Sequence, residues 1–272
     1  MKIMIKTIVS LEANLASNIA LRYACRLANL IEIELHTIHV MEPDSEGPPP
    51  GSGWVRKTWE GAMLTTEQAE IRRMVKAEKA SFPRLGPPKM SVGDREKEIL
   101  YELQSGFHDL FIEGALHTFN SAPFYSKIHS WFYRNTPCPI ILVKNLVNLE
   151  KVLLVLSSEV NYAKLISKVL KFFKGGKVEL DLIYCDFNRH EKSVRSKGED
   201  PDTILRNAEK ILSENEMPPA QCRVVQNSSD NAAELMQGYG LVASSIYRQT
   251  SKKSPLLELL SRTPYPLLLC WQ

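Results

Sequence analysis

The feature that most constrains the fold is a repeated alternation of short apolar strands and amphipathic helices, which is clearest over residues 109–144. There an apolar strand ends at Gly114, a polar loop follows, and residues 123–135 show the apolar spacing of a helix. Prolines end that helix and lead into a second apolar strand. A weaker copy of the unit, over residues 241–271, closes the chain, so it is the order of elements that repeats.

The same reasoning assigns elements elsewhere, from continuous apolar runs for strands and apolar residues at helical spacing for helices. In the first half, strands are predicted at 3–10, 31–40, 89–92, 109–114 and 139–144, and helices at 12–30, 65–81, 95–104 and 123–135. In the second half, strands are predicted at 152–156, 178–185, 221–225, 241–244 and 266–271, and helices at 162–173, 203–213, 232–237 and 256–260.

Strands that alternate with helices predict an α/β fold, because parallel strands need crossovers, and these are right-handed. We therefore expect two doubly wound, parallel-sheet domains of five strands each, at residues 1–146 and 147–272. Residues 42–53 are rich in Gly and Pro and predict an exposed loop. Trp54 and Trp59 either pin that loop to its domain or line a surface for a partner or ligand.

Composition and cysteine usage exclude several classes of protein. The net charge of +3 is too small to predict a nucleic-acid or membrane partner, and no apolar run is long enough to span a membrane. The five cysteines are odd in number and far apart, without the spacing of a disulfide framework or a zinc site. Residues 1–9 are too short and strand-like for a signal peptide. We expect a cytoplasmic protein that binds no metal.

Catalytic patterns are sparse. Glu113 and His117 are the acid–base pair closest to the loop after the fourth strand, and such a pair could transfer protons or simply share a hydrogen bond. Cys138 is either a reactive thiol or a buried one, and its place at the start of a strand favours burial. The motifs of serine hydrolases, zinc proteases and P-loop proteins are absent from the sequence. We expect that the protein is not an enzyme.

Several stretches of the chain match the pattern of a known domain. In the first half these are residues 6–12 with the Ala-rich helix after them, 35–40, 93–99, 109–114 and 137–143. In the second half the match is looser, through residues 152–157, 178–185 and 263–269. On these residues, each half resembles a universal stress protein domain, and the whole chain is similar to a tandem of two. The resemblance implies that the two closing strands, 139–144 and 266–271, pair antiparallel within the chain and make it a pseudo-dimer.

One branch of that family binds ATP or another adenine nucleotide, through an acidic residue after the first strand, a backbone contact near the end of the second, and a glycine-rich loop after the fourth. The corresponding positions, which form the candidate nucleotide site, are Ser10, Val40, Gly114, His117, Ser126 and Lys127. Of these, Val40 and Gly114 fit the pattern, whereas the other four depart from it.

The second half departs further from the nucleotide-binding pattern. Ser157 stands where the acid would be, and the loop over residues 244–255 has no glycine. Its cations, Arg248, Lys252 and Lys253, could hold an anion as point charges or could be ordinary solvated side chains.

The resemblance thus implies a non-enzymatic stress-response protein that acts through protein contacts, has largely lost its ATP site and needs no cofactor. The alternative is a sensor that binds ATP or AMP in the first domain, and a hydrolase using Glu113 and His117 is a third possibility. The expected partners are proteins of unstated identity, with a homo-oligomer left open and without nucleic acid or membrane.

Overall fold

The computed structural model describes residues 4–42, 54–116, 122–187, 200–226, 232–249 and 254–272, with the backbone alone for 54–65 and 232–233. The first half contains β1 (Ile5–Ser10), α1 (Leu15–Leu27), β2 (Ile33–Met41), α2 (Trp54–Glu78), β3 (Lys89–Val92), α3 (Arg95–Ser105), β4 (Leu110–Gly114), α4 (Ala122–Ile128), α5 (Trp131–Asn135) and β5 (Ile140–Val143). The second half contains β6 (Lys151–Leu156), α6 (Tyr162–Phe173), β7 (Glu179–Asp186), α7 (Pro201–Glu214), β8 (Gln221–Gln226), α8 (Ala232–Leu235), β9 (Leu241–Ile246), α9 (Pro255–Arg262) and β10 (Leu267–Trp271).

The strands form one continuous ten-stranded sheet in the order β3-β2-β1-β4-β5-β10-β9-β6-β7-β8. Within each half, neighbouring strands are parallel, whereas β5 and β10 pair antiparallel. Each half is therefore a doubly wound unit in which the strand order reverses beside its first strand. The predicted α/β class is confirmed, and the antiparallel pairing of the two closing strands is observed.

Capping residues and buried apolar strands explain where the helices begin and how they pack on this sheet. Asn14 and Asn161 cap α1 and α6, and each side chain accepts a hydrogen bond from the backbone N–H three residues later. The central strands β4, β5 and β9 are buried along almost their whole lengths, as expected for parallel strands covered by helices on both faces. The core therefore runs through both halves without interruption.

Two matching turns lie where the halves meet. Each has the sequence Thr-Pro-x-Pro, at residues 136–139 and 263–266. Each follows a short helix, α5 or α9, and leads into a central strand, β5 or β10. The last carbonyls of a helix have no partner within the helix, and the prolines here cannot continue it. These carbonyls must therefore find donors elsewhere.

Lys144, at the end of β5, supplies the donor for the turn of the second half. Its Nζ donates to the carbonyls of Leu260, Ser261 and Thr263 at 2.9, 3.3 and 2.8 Å. It also lies 4.9 Å from the centre of the Phe124 ring. Burial lowers the pKa of the Lys144 ammonium to about 7, while the carbonyls at the negative end of α9 favour its charged form.

Arg248 supplies the donor for the turn of the first half. Its Nη2 donates to the carbonyl of Thr136 at 2.9 Å, and its Nη1 donates to the carbonyl of Arg134. The guanidinium lies 5.2 Å from the ring centre of Trp271. Arg248 is thus a structural cation between the halves. Lys252 and Lys253, the other two loop cations, lie outside the described residues.

Two predicted helices differ from those observed. The capping pattern at 65–68 predicted a helix start, but α2 begins at Trp54, so the pattern lies inside a longer helix. The helix predicted over 123–135 is two short ones, because Ser130 has an extended backbone and caps a new helix by accepting from Tyr133 N–H. Residues 43–53 and the side chains of Trp54 and Trp59 lie outside the described residues.

All five cysteines are free thiols, and four of them are buried. Burial raises the pKa of Cys138 to about 12, which makes it an unreactive thiol at neutral pH. Among the helices that the structure describes, none is both long and apolar enough to cross a bilayer.

Lys144 gives the stability of the protein a pH dependence that a substitution can remove. Its pKa is about 7 in the folded protein against an ordinary value of 10.5, so unfolding between these pH values takes up a proton. Lys144 should therefore contribute a rise in the free energy of unfolding with pH over this range, by up to about 1.4 kcal/mol per pH unit. Buried thiols such as Cys138, whose pKa is raised from 9.0 to about 12, act in the opposite direction at the alkaline end of the range, in the wild type and the variant alike. Urea titrations at several pH values should therefore give a slope of stability against pH that is more positive in the wild type than in Lys144→Met.

The matched control is Lys151→Met, which removes a lysine with 49% side-chain exposure that pairs with Glu179. This variant should keep the wild-type slope of stability against pH, because an exposed lysine keeps its charge on both sides of the folding transition. Equal slopes in the wild type and Lys144→Met would contradict the role given to Lys144.

Candidate functional site

The candidate site lies at the carboxyl ends of β1 and β4. β1 pairs with β2 on one side and with β4 on the other, so the strand order reverses between β1 and β4. In open α/β sheets, ligands bind in the crevice outside the carboxyl ends of the strands at this kind of reversal. Ser10 ends β1 and Gly114 ends β4, so two of the residues predicted from the sequence border the crevice.

Arg95 bridges the crevice. It is the first residue of α3, and its Nη2 donates to Ser10 Oγ at 3.1 Å and to Glu113 Oε1 at 2.6 Å. Its Nε lies 2.7 Å from Glu12 Oε1. The guanidinium thereby joins the ends of β1 and β4.

Glu113 is the anion around which the cations gather. Its side chain is 7% exposed, and its carboxylate meets Arg95 through Oε1 and Lys127 Nζ through Oε2, the latter at 2.9 Å. Tyr133 donates its hydroxyl to Oε2 as well. Lys127 also lies 5.4 Å from the centre of the Tyr133 ring. We call Glu12, Arg95, Glu113, Lys127 and Tyr133 the ion-pair cluster.

The electrostatics of the cluster are balanced. Burial alone would raise the pKa of Glu113, but Lys127, Arg95 and the Tyr133 hydroxyl outweigh it and hold that pKa below its ordinary value. Burial raises the pKa of Tyr133 well above its ordinary value, and the Glu113 charge adds to this. Two cations therefore face two carboxylates and a neutral phenol. Glu113 is consequently a poor general base, because three donors already engage it.

Gly114 is required by packing. A Cβ at this position would lie 2.3 Å from the carbonyl oxygen of Ala16, in the first turn of α1. Only glycine lets the helix backbone approach the end of β4 this closely. A glycine at the end of β4 is therefore required by this helix–strand contact.

Among the described residues, the other predicted positions are spread over a helix and a strand. Ser126 and Lys127 both lie in α4, so a short helix stands where the resemblance places a glycine-rich loop. Ser126 is exposed, whereas Lys127 belongs to the ion-pair cluster. Val40 is buried in β2. His117 lies outside the described residues, so the pairing of Glu113 with His117 stays a hypothesis.

Side chains also bridge the strand ends at the corresponding place in the second half. The side chain of Gln272 accepts from Asn161 N–H at 2.6 Å and from Ser245 Oγ at 3.0 Å, and its Nε2 donates to the carbonyl of Glu159 at 2.7 Å. The Glu159 carboxylate accepts the hydroxyl of Ser254, which caps α9. These contacts tie the carboxyl ends of β6, β9 and β10 together.

Sequence reasoning missed Arg95, Glu12 and Tyr133. One available signal was the position of Arg95, because a cation in the first turn of a helix opposes the helix dipole and so needs an anionic partner. A second signal was the pattern Ser-x-Glu-x-Asn, which occurs at residues 10–14 and again at 157–161. In both copies, the Ser and Glu lie at the end of a first strand, and the Asn caps the helix that follows.

Comparison with solved structures identifies the fold. The chain is 13% identical to a universal stress protein from Archaeoglobus fulgidus DSM 4304, with a TM-score of 0.62, over 98% of this chain and 96% of that one. It is 14% identical to a functionally unknown protein from Pseudomonas aeruginosa PAO1, with a TM-score of 0.59, over 99% of this chain and 93% of that one. No protein-family model and no curated protein sequence matches the chain.

These likenesses confirm the fold that the sequence resemblance implied. The chain has a universal stress protein-like α/β fold over nearly its whole length, and its 272 residues suit the tandem form. At this identity the likeness concerns the fold alone, so function has to be argued from the residues at the site.

Two carboxylates contact Arg95, and the ion-pair cluster predicts that they contribute very different amounts to the free energy of unfolding. Glu113→Gln should lower the free energy of unfolding by about 3–5 kcal/mol, because it leaves Arg95 and Lys127 without their buried counter-charge. Glu12→Gln should cost about 1 kcal/mol or less, because the side chain of Glu12 is 44% exposed. Urea denaturation at pH 7 measures both values.

At acidic pH, the wild type and Glu113→Gln should differ less in their free energy of unfolding. The folded-state pKa of Glu113 lies below its ordinary value of 4.5, so its stabilising effect is complete above that pH and is lost as pH falls further. If Glu113→Gln and Glu12→Gln lowered the free energy of unfolding equally at pH 7, Glu113 would not be the central charge of the cluster.

Proposed function

We propose that this is a non-enzymatic stress-response protein that acts through protein contacts, with its nucleotide site occupied by its own side chains. The observation that carries the proposal is the Arg95 bridge from Ser10 to Glu113, across the crevice where a ligand would enter. In this proposal the Glu113 carboxylate stands in for the anion of a ligand, because it already receives the cations that would bind a phosphate.

The second half supports the same proposal. Gln272 and Glu159 bridge the strand ends there, so neither half offers bare backbone N–H groups in a glycine-rich loop among the described residues. Such loops bind phosphates because their N–H groups point at the ligand without side chains in the way. The proposal includes the absence of a cofactor and of catalysis, and a cytoplasmic location as expected from the sequence.

Large apolar side chains on the surface support a role in protein contacts. Phe107 is 85% exposed, Tyr101 66% and Trp131 55%. Aromatic side chains are enriched in protein interfaces, where they supply much of the binding energy. A protein whose crevices are closed and whose surface carries such side chains is better suited to binding other proteins than to binding a small molecule.

A thermal-shift titration distinguishes this proposal from an adenine-nucleotide sensor. The wild type should show an unchanged melting temperature with ATP or AMP, with and without Mg²⁺, up to about 1 mM, because ligand that does not bind the folded state cannot stabilise it. It should also release no phosphate from ATP. A rise in melting temperature at micromolar ATP would overturn the proposal in favour of the sensor.

The self-occupied site also predicts a gain of anion binding. In Glu113→Gln, Lys127 loses its counter-charge and Arg95 keeps only that of Glu12, so millimolar pyrophosphate should raise the melting temperature of this variant and leave the wild type unchanged. Glu12→Gln serves as the control, because it keeps Glu113 in place and should not respond. Equal responses in all three proteins would mean that Glu113 does not hold the position of an anion.

A further inference from the structure

The outer face of α6 carries a row of lysines. The exposed members, at helical spacing and just past the helix end, are Lys164, Lys168, Lys171, Lys174 and Lys177, and we call them the lysine face. No Asp or Glu occurs within α6. Within the part of the chain that the structure describes, Lys171 pairs with Asp109 at 2.6 Å, whereas Lys164, Lys168 and Lys174 have no ion pair.

This arrangement costs the helix stability. Like charges one turn apart repel one another, as Lys164 and Lys168 do. Lys164 also lies in the first turn, where a cation opposes the helix dipole. Cations near the end of a helix are favourable, which explains Lys171 but not the two lysines before it. The row therefore needs an explanation other than the stability of α6.

An unusual aromatic residue lies beside the lysine face. Phe107 precedes Asp109 by two residues, and Asp109 holds Lys171. Phe107 is 85% exposed. Its φ of 51° belongs to the turn that ends α3, where Phe107 N–H donates to the carbonyl of Gln104 and His108 N–H donates to the carbonyl of Leu103, both at 3.3 Å. The helix end explains the backbone of Phe107 but not the exposure of its large aromatic side chain, and such side chains are enriched in protein interfaces.

The chemistry of the surface favours a protein over a membrane or a nucleic acid. The apolar side of α6 is buried in the core, so the helix cannot insert into a bilayer as amphipathic membrane helices do. The net charge of +3 is small for a protein that binds a duplex through its phosphates. A row of lysines next to one exposed aromatic instead suits carboxylates that flank an apolar side chain.

We propose that the lysine face and Phe107 form a docking surface for an acidic segment of a partner protein, whose Asp and Glu side chains meet the lysines and whose apolar residue covers Phe107. The inference rests on the proposed function in taking a protein as the partner. It adds the place of contact and the charge of the partner.

The test uses a fluorescein-labelled synthetic peptide rich in glutamate with one central leucine, and fluorescence anisotropy as the readout. The full chain should bind it at low salt, and added salt should weaken binding, because screening reduces exposed charge pairs. The triple variant Lys164→Gln, Lys168→Gln, Lys174→Gln should lose about tenfold in affinity. Phe107→Asn should also weaken binding without lowering the melting temperature, because asparagine tolerates a positive φ.

The matched control is the triple variant Lys97→Gln, Lys151→Gln, Lys210→Gln. It removes the same charge from exposed lysines on other elements and should bind the peptide as the wild type does. Equal weakening by both triple variants, or no binding by the wild type, would overturn the proposal. So would binding that depends on the lysine face to phosphatidylserine vesicles or to duplex DNA but not to the peptide.

The outcome is separable from that of the nucleotide titration. A nucleotide-induced shift with peptide binding intact would overturn the self-occupied site and leave the docking surface standing. If the protein binds no peptide and nucleotide causes no shift, the docking surface is overturned and the self-occupied site stands.

Discussion

The structure depends on the antiparallel join between β5 and β10 and on the cations that cross it. Proline in each Thr-Pro-x-Pro turn leaves helix carbonyls without donors, and each set is satisfied from the other half, by Lys144 or by Arg248. Separating the halves would leave orphaned carbonyls and two exposed central strand edges. The two parallel units are therefore coupled by polar contacts as much as by the apolar core that runs through both.

A second constraint follows at the carboxyl ends of the strands. A doubly wound sheet always has a crevice where its strand order reverses, and that crevice must be filled by a ligand, by water or by side chains. Here Arg95 spans the strand ends in one half, and Gln272 with Glu159 spans them in the other. The fold thus keeps the strand reversal at which ligands bind in such sheets, and in this chain side chains cross it.

The sequence predicts most of the architecture, because strands and helices leave local periodic signals. The predicted bounds of α6, 162–173, are those observed, and the closing strands were placed by their prolines. The candidate site was predicted only in part. Arg95 contacts Ser10, 85 positions away in the sequence, and Glu113, 18 positions away. The spacing of apolar residues predicts local helices and strands and does not predict contacts between such distant side chains. The family motif counted Ser126 into a loop, whereas the apolar spacing predicted a helix from residue 123, and Ser126 does lie in a helix, α4.

Joining both halves in one chain releases them from the symmetry that a homodimer would impose. In a dimer with a two-fold axis, every substitution appears on both sides of the interface. Here Lys144 and Trp271 follow their Pro-x-Pro turns by the same number of residues, yet one binds the opposite helix end directly and the other supports Arg248, which does so. The same freedom lets α6 carry lysines that α1 lacks. Each half can thus specialise while the shared sheet stays intact.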